Sequence, residues 1–168
     1  DRAYYSKNFM LDDICMGLGG RVAEELVIKD VSSGAMGDIK QVTKFARAMV
    51  TEFGMSDKLG MISYSDDSQP MFIGRDMATQ RAYSEETARM IDDEVRKIVN
   101  DQHARARKLL TENRSILDNM ARVLIERETI YTEEVDMLME GKGYEEVIQY
   151  MDEHDGERSE NPFKRYES

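Results

Sequence analysis

The chain has 168 residues, of which 40% are hydrophobic, enough for the core of about one domain. Its 23 lysines and arginines and 34 aspartates and glutamates give a formal net charge of −11. This acidic balance repels phosphate backbones and argues against nucleic acid as a partner. No apolar run approaches the roughly 18 residues of a membrane span, and the single cysteine, Cys15, excludes an internal disulfide.

Apolar residues recur at helical spacing through most of the chain, which predicts a mainly α protein, a helical bundle. The first helix is expected from about Asn8 to Val27 and the second from about Gly37 to Phe53. The short segment 29–36 between them has turn chemistry. Paired glycines inside a helix cost roughly 1 kcal/mol each relative to alanine. We therefore interpret Gly19 and Gly20 as a point of close approach by another backbone.

Helical periodicity disappears from residue 55 to residue 82, where glycine and proline interrupt short apolar pieces. This pattern predicts a long connection with at most a short strand or β-bridge in 55–82. Ser84 is then expected to cap a long helix that ends near Asn113. Two shorter helices follow, and the second of them stops at Gly141.

The last part of the chain is rich in acidic residues and poor in apolar ones. We expect residues 142–168 to form an acidic, largely disordered tail, with one further helical piece at 144–151. The sequence therefore predicts one folded domain, 1–141, followed by this tail.

Several kinds of catalytic site have no counterpart in the sequence. There is no glycine-rich phosphate loop and no Gly-x-Ser-x-Gly elbow, so neither a nucleotide site nor a serine hydrolase is indicated. The two histidines, His103 and His154, each lack a ligand partner at i+4. His103 lies in a charged stretch and is expected to be solvated. No catalytic or cofactor-binding residue is assigned to the chain.

Two adjacent glutamates follow the paired glycines of the first helix. On a helical wheel Glu25 lies within about 40–60° of the centre of the apolar stripe, whereas Glu24 points elsewhere. A carboxylate on an inward face must be paired, hydrogen-bonded or near a metal. The alternative is an exposed glutamate pair beside a patch of small residues.

A run of small residues, 31–37, precedes Asp38 at the start of the second helix. These residues keep the backbone open and place the carboxylate of Asp38 at the helix terminus. The alternative is that Asp38 only caps or charges this terminus, an effect of about 0.5–2 kcal/mol.

These segments, together with others downstream, form an ordered set of blocks. The blocks are Leu18–Val27 (LGGRVAEELV), Asp30–Ile39 (DVSSGAMGDI), Ala46–Gly60 (ARAMVTEFGMSDKLG), Phe72–Asp76 (FIGRD) and Tyr83–Ala88 (YSEETA). From about Ile14 to Gly141, this order resembles the peptidase domain of FtsH-type ATP-dependent zinc metalloproteases, whose pattern includes LGGRxAEE and STGAxND.

The resemblance implies a zinc site. In the family, zinc is held by two histidines of an HExxH helix and by an aspartate that matches Asp38, and a zinc-bound water attacks the peptide bond. In the family, the Ala-Glu-Glu segment supports a zinc-ligating histidine without binding the metal itself. The resemblance therefore implies this supporting role for Glu25 or Glu24. The HExxH helix is expected shortly before residue 1, and the 168 residues contain no such motif. Gly37 also departs from the family's asparagine.

The resemblance also implies an ATPase module that uses ATP, a membrane anchor, a hexameric ring and substrates that are unfolded or membrane proteins. The expected location is the cytoplasmic side of the cell membrane in a bacterial member, or an organellar inner membrane in a eukaryotic one. The alternative is a catalytically inactive FtsH-like module that serves as an oligomerisation scaffold. An unrelated acidic adaptor bundle would leave the ordered blocks unexplained.

Overall fold

The computed structural model describes residues 5–64 and 83–160, with side chains as far as residue 154. These ranges contain α-helices, one 3-10 turn and no strand, which confirms the prediction of a mainly α protein. They fall into two compact units, within residues 1–111 and 112–168. No helix in the described part is both long and apolar enough to cross a membrane. The helices are α1 (Lys7–Gly17), α2 (Gly19–Val27), α3 (Met36–Thr51), α4 (Glu85–Glu112), α5 (Arg114–Arg127), α6 (Thr132–Met139) and α7 (Tyr144–Glu160), and the 3-10 turn is Ser33–Ala35.

The core of the first unit lies between α1, α3 and α4. Helices α1 and α3 run in opposite directions. Phe9, near the start of α1, lines one cavity with Phe53, just after α3, whereas Gly17, at the end of α1, lines another with Val42, in the first half of α3. The apolar stripes predicted for these helices face one another, and removal of their side chains from water stabilises the unit. The buried residues of this cluster are Met10, Ile14, Leu18, Val42, Ala46, Met49, Val50, Leu59, Ile91 and Val95.

The predicted helix from Asn8 to Val27 is two helices, α1 and α2, which meet at Leu18. The close approach expected at Gly19 and Gly20 does not occur among the described residues, because no described atom outside the surrounding helix backbone lies within 4 Å of a Cβ built at either residue. The close approach is at Gly17, where a Cβ would lie 2.9 Å from Val42 Cγ1. The missing side chain at Gly17 therefore allows α1 to pack tightly on α3.

Helix α2 packs on α4 through a small apolar cluster. Val22 is fully buried, and Cys15 and Ala106 are buried beside it. Leu26 and Leu110 extend this contact along the two helices. The packing fixes which side of α2 faces α4.

The connection after α3 begins with turns. Gly54 has a φ of +60°, and the Tyr64 N–H donates to the Thr51 carbonyl at 2.7 Å. No strand occurs at residues 55–64, and the rest of the region in which a β-bridge was expected, 65–82, lies outside the described residues. The Ser84 hydroxyl accepts a hydrogen bond from the Thr87 N–H, which confirms the predicted cap of α4.

The second unit consists of α5, α6 and α7 around a buried cluster of Val123, Leu138, Val147 and Met151. Its buried Glu134 accepts a hydrogen bond from the Tyr131 N–H at 2.8 Å, at the start of α6. A largely disordered tail was expected from residue 142, but 144–160 is helical and contributes two residues to this core. Residues 161–168 lie outside the described part, and the domain boundary at 141 stays a prediction.

Replacement of Gly17 by alanine is expected to lower the free energy of unfolding by about 1–3 kcal/mol, because the new Cβ would overpack buried Val42. The matched control is Gly20→Ala. A Cβ at Gly20 meets no described atom within 4 Å, so alanine should raise stability by about 0.5–1 kcal/mol through the unfolded state. Urea denaturation of both variants measures the two effects, and effects of the same sign would contradict this assignment.

Candidate functional site

Asp38 lies in the first turn of α3, where the sequence placed it. The 3-10 turn runs directly into this helix, since the Met36 N–H donates to the Ser33 carbonyl, and buried Ala35 anchors the junction. Helix α3 has no side-chain cap, so Asp38 does not serve as one. Its side chain is exposed and has no hydrogen bond or ion pair among the described residues. The backbone therefore places Asp38 at the start of α3, while its carboxylate oxygens remain accessible.

A cavity of about 250 Å³ lies beside Asp38, between α1 and α3. Asp13 lines it from α1, so two carboxylates share this cavity. Met16 and Phe45 contribute apolar walls. The cavity is open to solvent at Met16, which is 73% exposed.

The segment before the 3-10 turn is held by Glu24. Its carboxylate accepts hydrogen bonds from the Ser32 N–H at 3.2 Å and from the Ser32 hydroxyl at 2.9 Å. The Gly34 N–H donates to the same hydroxyl oxygen at 3.1 Å. A Cβ at Gly34 would lie 3.1 Å from that oxygen and 3.7 Å from Glu24 Oε1, so glycine leaves room for both groups.

Glu25 faces α4, because Val22 and Leu26 on the same side of α2 pack there. Its carboxylate lies 3.1 Å from His103 Nε2, 3.1 Å from an Arg107 nitrogen and 3.2 Å from Arg21 Nε. With 21% of its side chain exposed, Glu25 is partly shielded from water. Glu25 is therefore an inward-facing, paired carboxylate, as the helical wheel predicted, and its partners are three basic side chains.

The charge of Glu25 is stabilised by these partners. Partial burial by itself would raise the pKa of Glu25, but the hydrogen bonds and charges of His103 and Arg21 outweigh it and hold the pKa below its ordinary value. Glu25 therefore stays ionised in the folded chain under conditions where an isolated glutamate would begin to take up a proton.

The two histidines are hydrogen-bonded within the described part of the chain, and the cysteine is buried. His103 is 36% exposed and pairs with Glu25, so the expectation that it is simply solvated is wrong. No local sequence pattern indicates this contact, because it joins residues 78 positions apart. His154 Nδ1 donates to the Tyr150 carbonyl at 2.8 Å within α7. Cys15 is buried, and burial raises the pKa of its thiol despite the opposing charge of Arg105.

The described residues supply part of a metal site at most. Within 5–64 and 83–154, where side chains are described, no three His, Cys, Asp or Glu side chains are grouped so that they could hold a metal ion. Asp38 by itself suits zinc, because its carboxylate oxygens are accessible and engage no described residue. A catalytic zinc needs three protein ligands, so two more would have to come from elsewhere.

Glu25→Gln is expected to lower the free energy of unfolding in a pH-dependent manner. Because the pKa of Glu25 is lower in the folded than in the unfolded chain, its carboxylate stabilises the fold above the unfolded-state pKa. This contribution is lost as the pH falls through the folded-state pKa. The difference in unfolding free energy between wild type and variant should therefore be larger at about pH 7 than at about pH 3.

The control for this measurement is Asp92→Asn, which breaks an exposed pair with Arg47 and should change stability little. Denaturant titrations at both pH values give the comparison. An effect of Glu25→Gln that grows in acid would contradict the assigned network.

Several known proteins are similar to this chain. A model of peptidase family M41 matches residues 1–138. The chain is 50% identical over 143 residues to ATP-dependent zinc metalloprotease FtsH 4 of Sorangium cellulosum, which covers 84% of this chain and 22% of that protein. It is 46% identical over 135 residues to FtsH 2 of Methylacidiphilum infernorum, which covers 80% and 21%. It is 40% identical over 172 aligned positions to FtsH of Parabacteroides distasonis, which covers 100% and 24%.

The chain thus spans about a fifth to a quarter of the length of these relatives, between 21% and 24%. The family model covers most of the chain, including the glycine–glutamate segment of α2 and the segment that leads into α3. The resemblance drawn from the sequence blocks is therefore confirmed, and the chain belongs to peptidase family M41, that of the FtsH-type zinc metalloproteases.

Proposed function

We propose that this chain is the helical part of the proteolytic domain of an ATP-dependent zinc metalloprotease, and that Asp38 is its ligand to the catalytic zinc. The observation that carries the proposal is the state of Asp38: it is exposed in the first turn of α3 and unengaged by any described residue. Bound zinc supplies Lewis-acid activation of the water that attacks the substrate's peptide bond. The remaining ligands are proposed to be the histidine pair of an HExxH helix in the same protein.

Glu24 and Glu25 are proposed to support the zinc site without binding the metal. Their contacts give the two residues different roles. Glu24 holds Ser32, in the segment that leads to Asp38. Glu25 is engaged with His103 and Arg107 of α4. These contacts favour Glu24 as the residue nearer the metal, whereas the helical wheel favoured Glu25.

The activity of the whole protein is proposed from the relatives, which are named ATP-dependent zinc metalloproteases. An ATPase module would use ATP to deliver unfolded or membrane proteins to the proteolytic site, in a membrane-anchored hexameric ring. In a bacterial member the site would face the cytoplasm. The matched relatives support this reading over that of an inactive scaffold.

The 168-residue chain alone is expected to bind zinc weakly and to show no peptidase activity. One carboxylate without paired histidines supplies too few ligands for a tight site. Equilibrium dialysis with zinc and a casein-hydrolysis assay test the two statements. Chelator-sensitive casein hydrolysis by this chain alone would contradict the assignment of the missing ligands.

In the full-length protein, Asp38→Ala should abolish most proteolysis while ATP turnover persists, because loss of the third ligand weakens zinc binding and misplaces the water. Proteolysis, ATPase rate and zinc content are measured on the same preparation. Asp92→Ala, which removes an exposed carboxylate paired only with Arg47 among the described residues, is the control and should retain all three. Full zinc content and wild-type proteolysis in Asp38→Ala would contradict the assignment of Asp38 as a zinc ligand.

A further inference from the structure

The backbone N–H and the backbone carbonyl of Ser32 are both hydrogen-bonded to side chains of helix α2. Its N–H and hydroxyl donate to Glu24, at 3.2 and 2.9 Å. Its carbonyl oxygen accepts a hydrogen bond from an Arg21 guanidinium nitrogen at 3.2 Å. Three separate hydrogen bonds from neighbouring turns of one helix therefore fix a residue that has no regular secondary structure of its own.

Ser32 caps the 3-10 turn that runs into α3. Its hydroxyl accepts from the Gly34 N–H, which starts the 3-10 turn, and the turn continues into α3 without an intervening loop. Asp38 follows in the first turn of that helix. A shift of Ser32 would therefore move the start of α3, and the Asp38 carboxylate with it.

Arg21 has a second partner that holds it in this role. Its Nε donates to Glu25 at 3.2 Å, while its terminal nitrogen reaches Ser32, so the guanidinium group bridges the two. A planar guanidinium with several fixed donors suits such a bridge, which a lysine ammonium would not reproduce. Glu25 is in turn tied to α4 by His103 and Arg107. A continuous chain of contacts thus runs from α4 to the segment before Asp38.

We propose that Arg21 is a positioning residue for Asp38: anchored by Glu25, it holds the Ser32 carbonyl and so sets the direction of the Asp38 carboxylate. This inference rests on the proposed function, in which Asp38 binds zinc. Arg21 touches neither metal nor substrate in this proposal. Its effect should appear as a change in zinc affinity without loss of the fold.

The test uses the full-length protein, stripped of metal and titrated with zinc alone against a chromophoric chelator. Arg21→Ala should raise the zinc dissociation constant by about 10–100-fold. This range is typical of substitutions at residues that support the metal ligands without binding the metal. Glu25→Gln, which weakens the anchor but leaves Arg21 beside Ser32, should give a smaller increase. Arg47→Ala is the matched control, because it removes an arginine–aspartate pair, with Asp92, away from Ser32. It should leave the constant unchanged.

The outcomes separate this inference from the proposed function. If Asp38→Ala loses zinc affinity but Arg21→Ala keeps the wild-type constant, Arg21 does not position Asp38 and only this inference fails. If Asp38→Ala itself keeps the wild-type zinc dissociation constant, the assignment of Asp38 as a zinc ligand is wrong, and this inference fails with it. ATP turnover and thermal unfolding of each variant establish that the fold persists.

Arg21→Lys covers the case in which Arg21→Ala does not fold. The ammonium group can engage Glu25 or Ser32 but cannot bridge them in the same geometry, so the zinc dissociation constant should still rise by several-fold. A lysine variant with the wild-type constant would overturn the proposed bridge.

Discussion

The close packing of α1 on α3 at Gly17 is the constraint on which the first unit depends. Val42, against which Gly17 packs, is 2% exposed and lies one helical turn after Asp38 on the same face of α3. This contact therefore fixes the rotation of α3 about its axis at the end where Asp38 lies. The same packing leaves the small cavity shared by Asp13 and Asp38, so the core and the candidate site are set by one helix pair.

The polar contacts of the first unit divide into two groups with different consequences. Exposed pairs such as Arg47–Asp92 are screened by water and contribute little to stability. Glu25 differs because three basic groups converge on one partly shielded carboxylate. Burial alone would raise its pKa, but His103 and Arg21 outweigh burial and lower it. Such a network joins α2 to α4 with defined geometry, which a single exposed pair would not do.

The sequence predicted the helices better than the contacts between them. Apolar periodicity located α3 and α4 within a few residues, because burial of one stripe per helix determines both pattern and structure. It missed the break at Leu18, where helical φ and ψ continue across the junction. It also assigned the close approach to Gly19 and Gly20 rather than Gly17, since composition does not reveal which glycine faces a neighbour. The pairing of His103 with Glu25 depends on tertiary packing and has no local signal.

If Asp38 binds zinc as proposed, its placement would reconcile two demands on a metal ligand. A ligating carboxylate must be negatively charged and fixed in direction, yet its oxygens must remain available to the metal. A basic partner would supply the charge stabilisation but would occupy those oxygens. At the first turn of α3, the helix dipole favours the negative charge without a side-chain partner. In the proposed arrangement, direction would come from Ser32 and its contacts with Glu24 and Arg21. The bonds that aim the ligand are thus separate from the oxygens that would bind the metal.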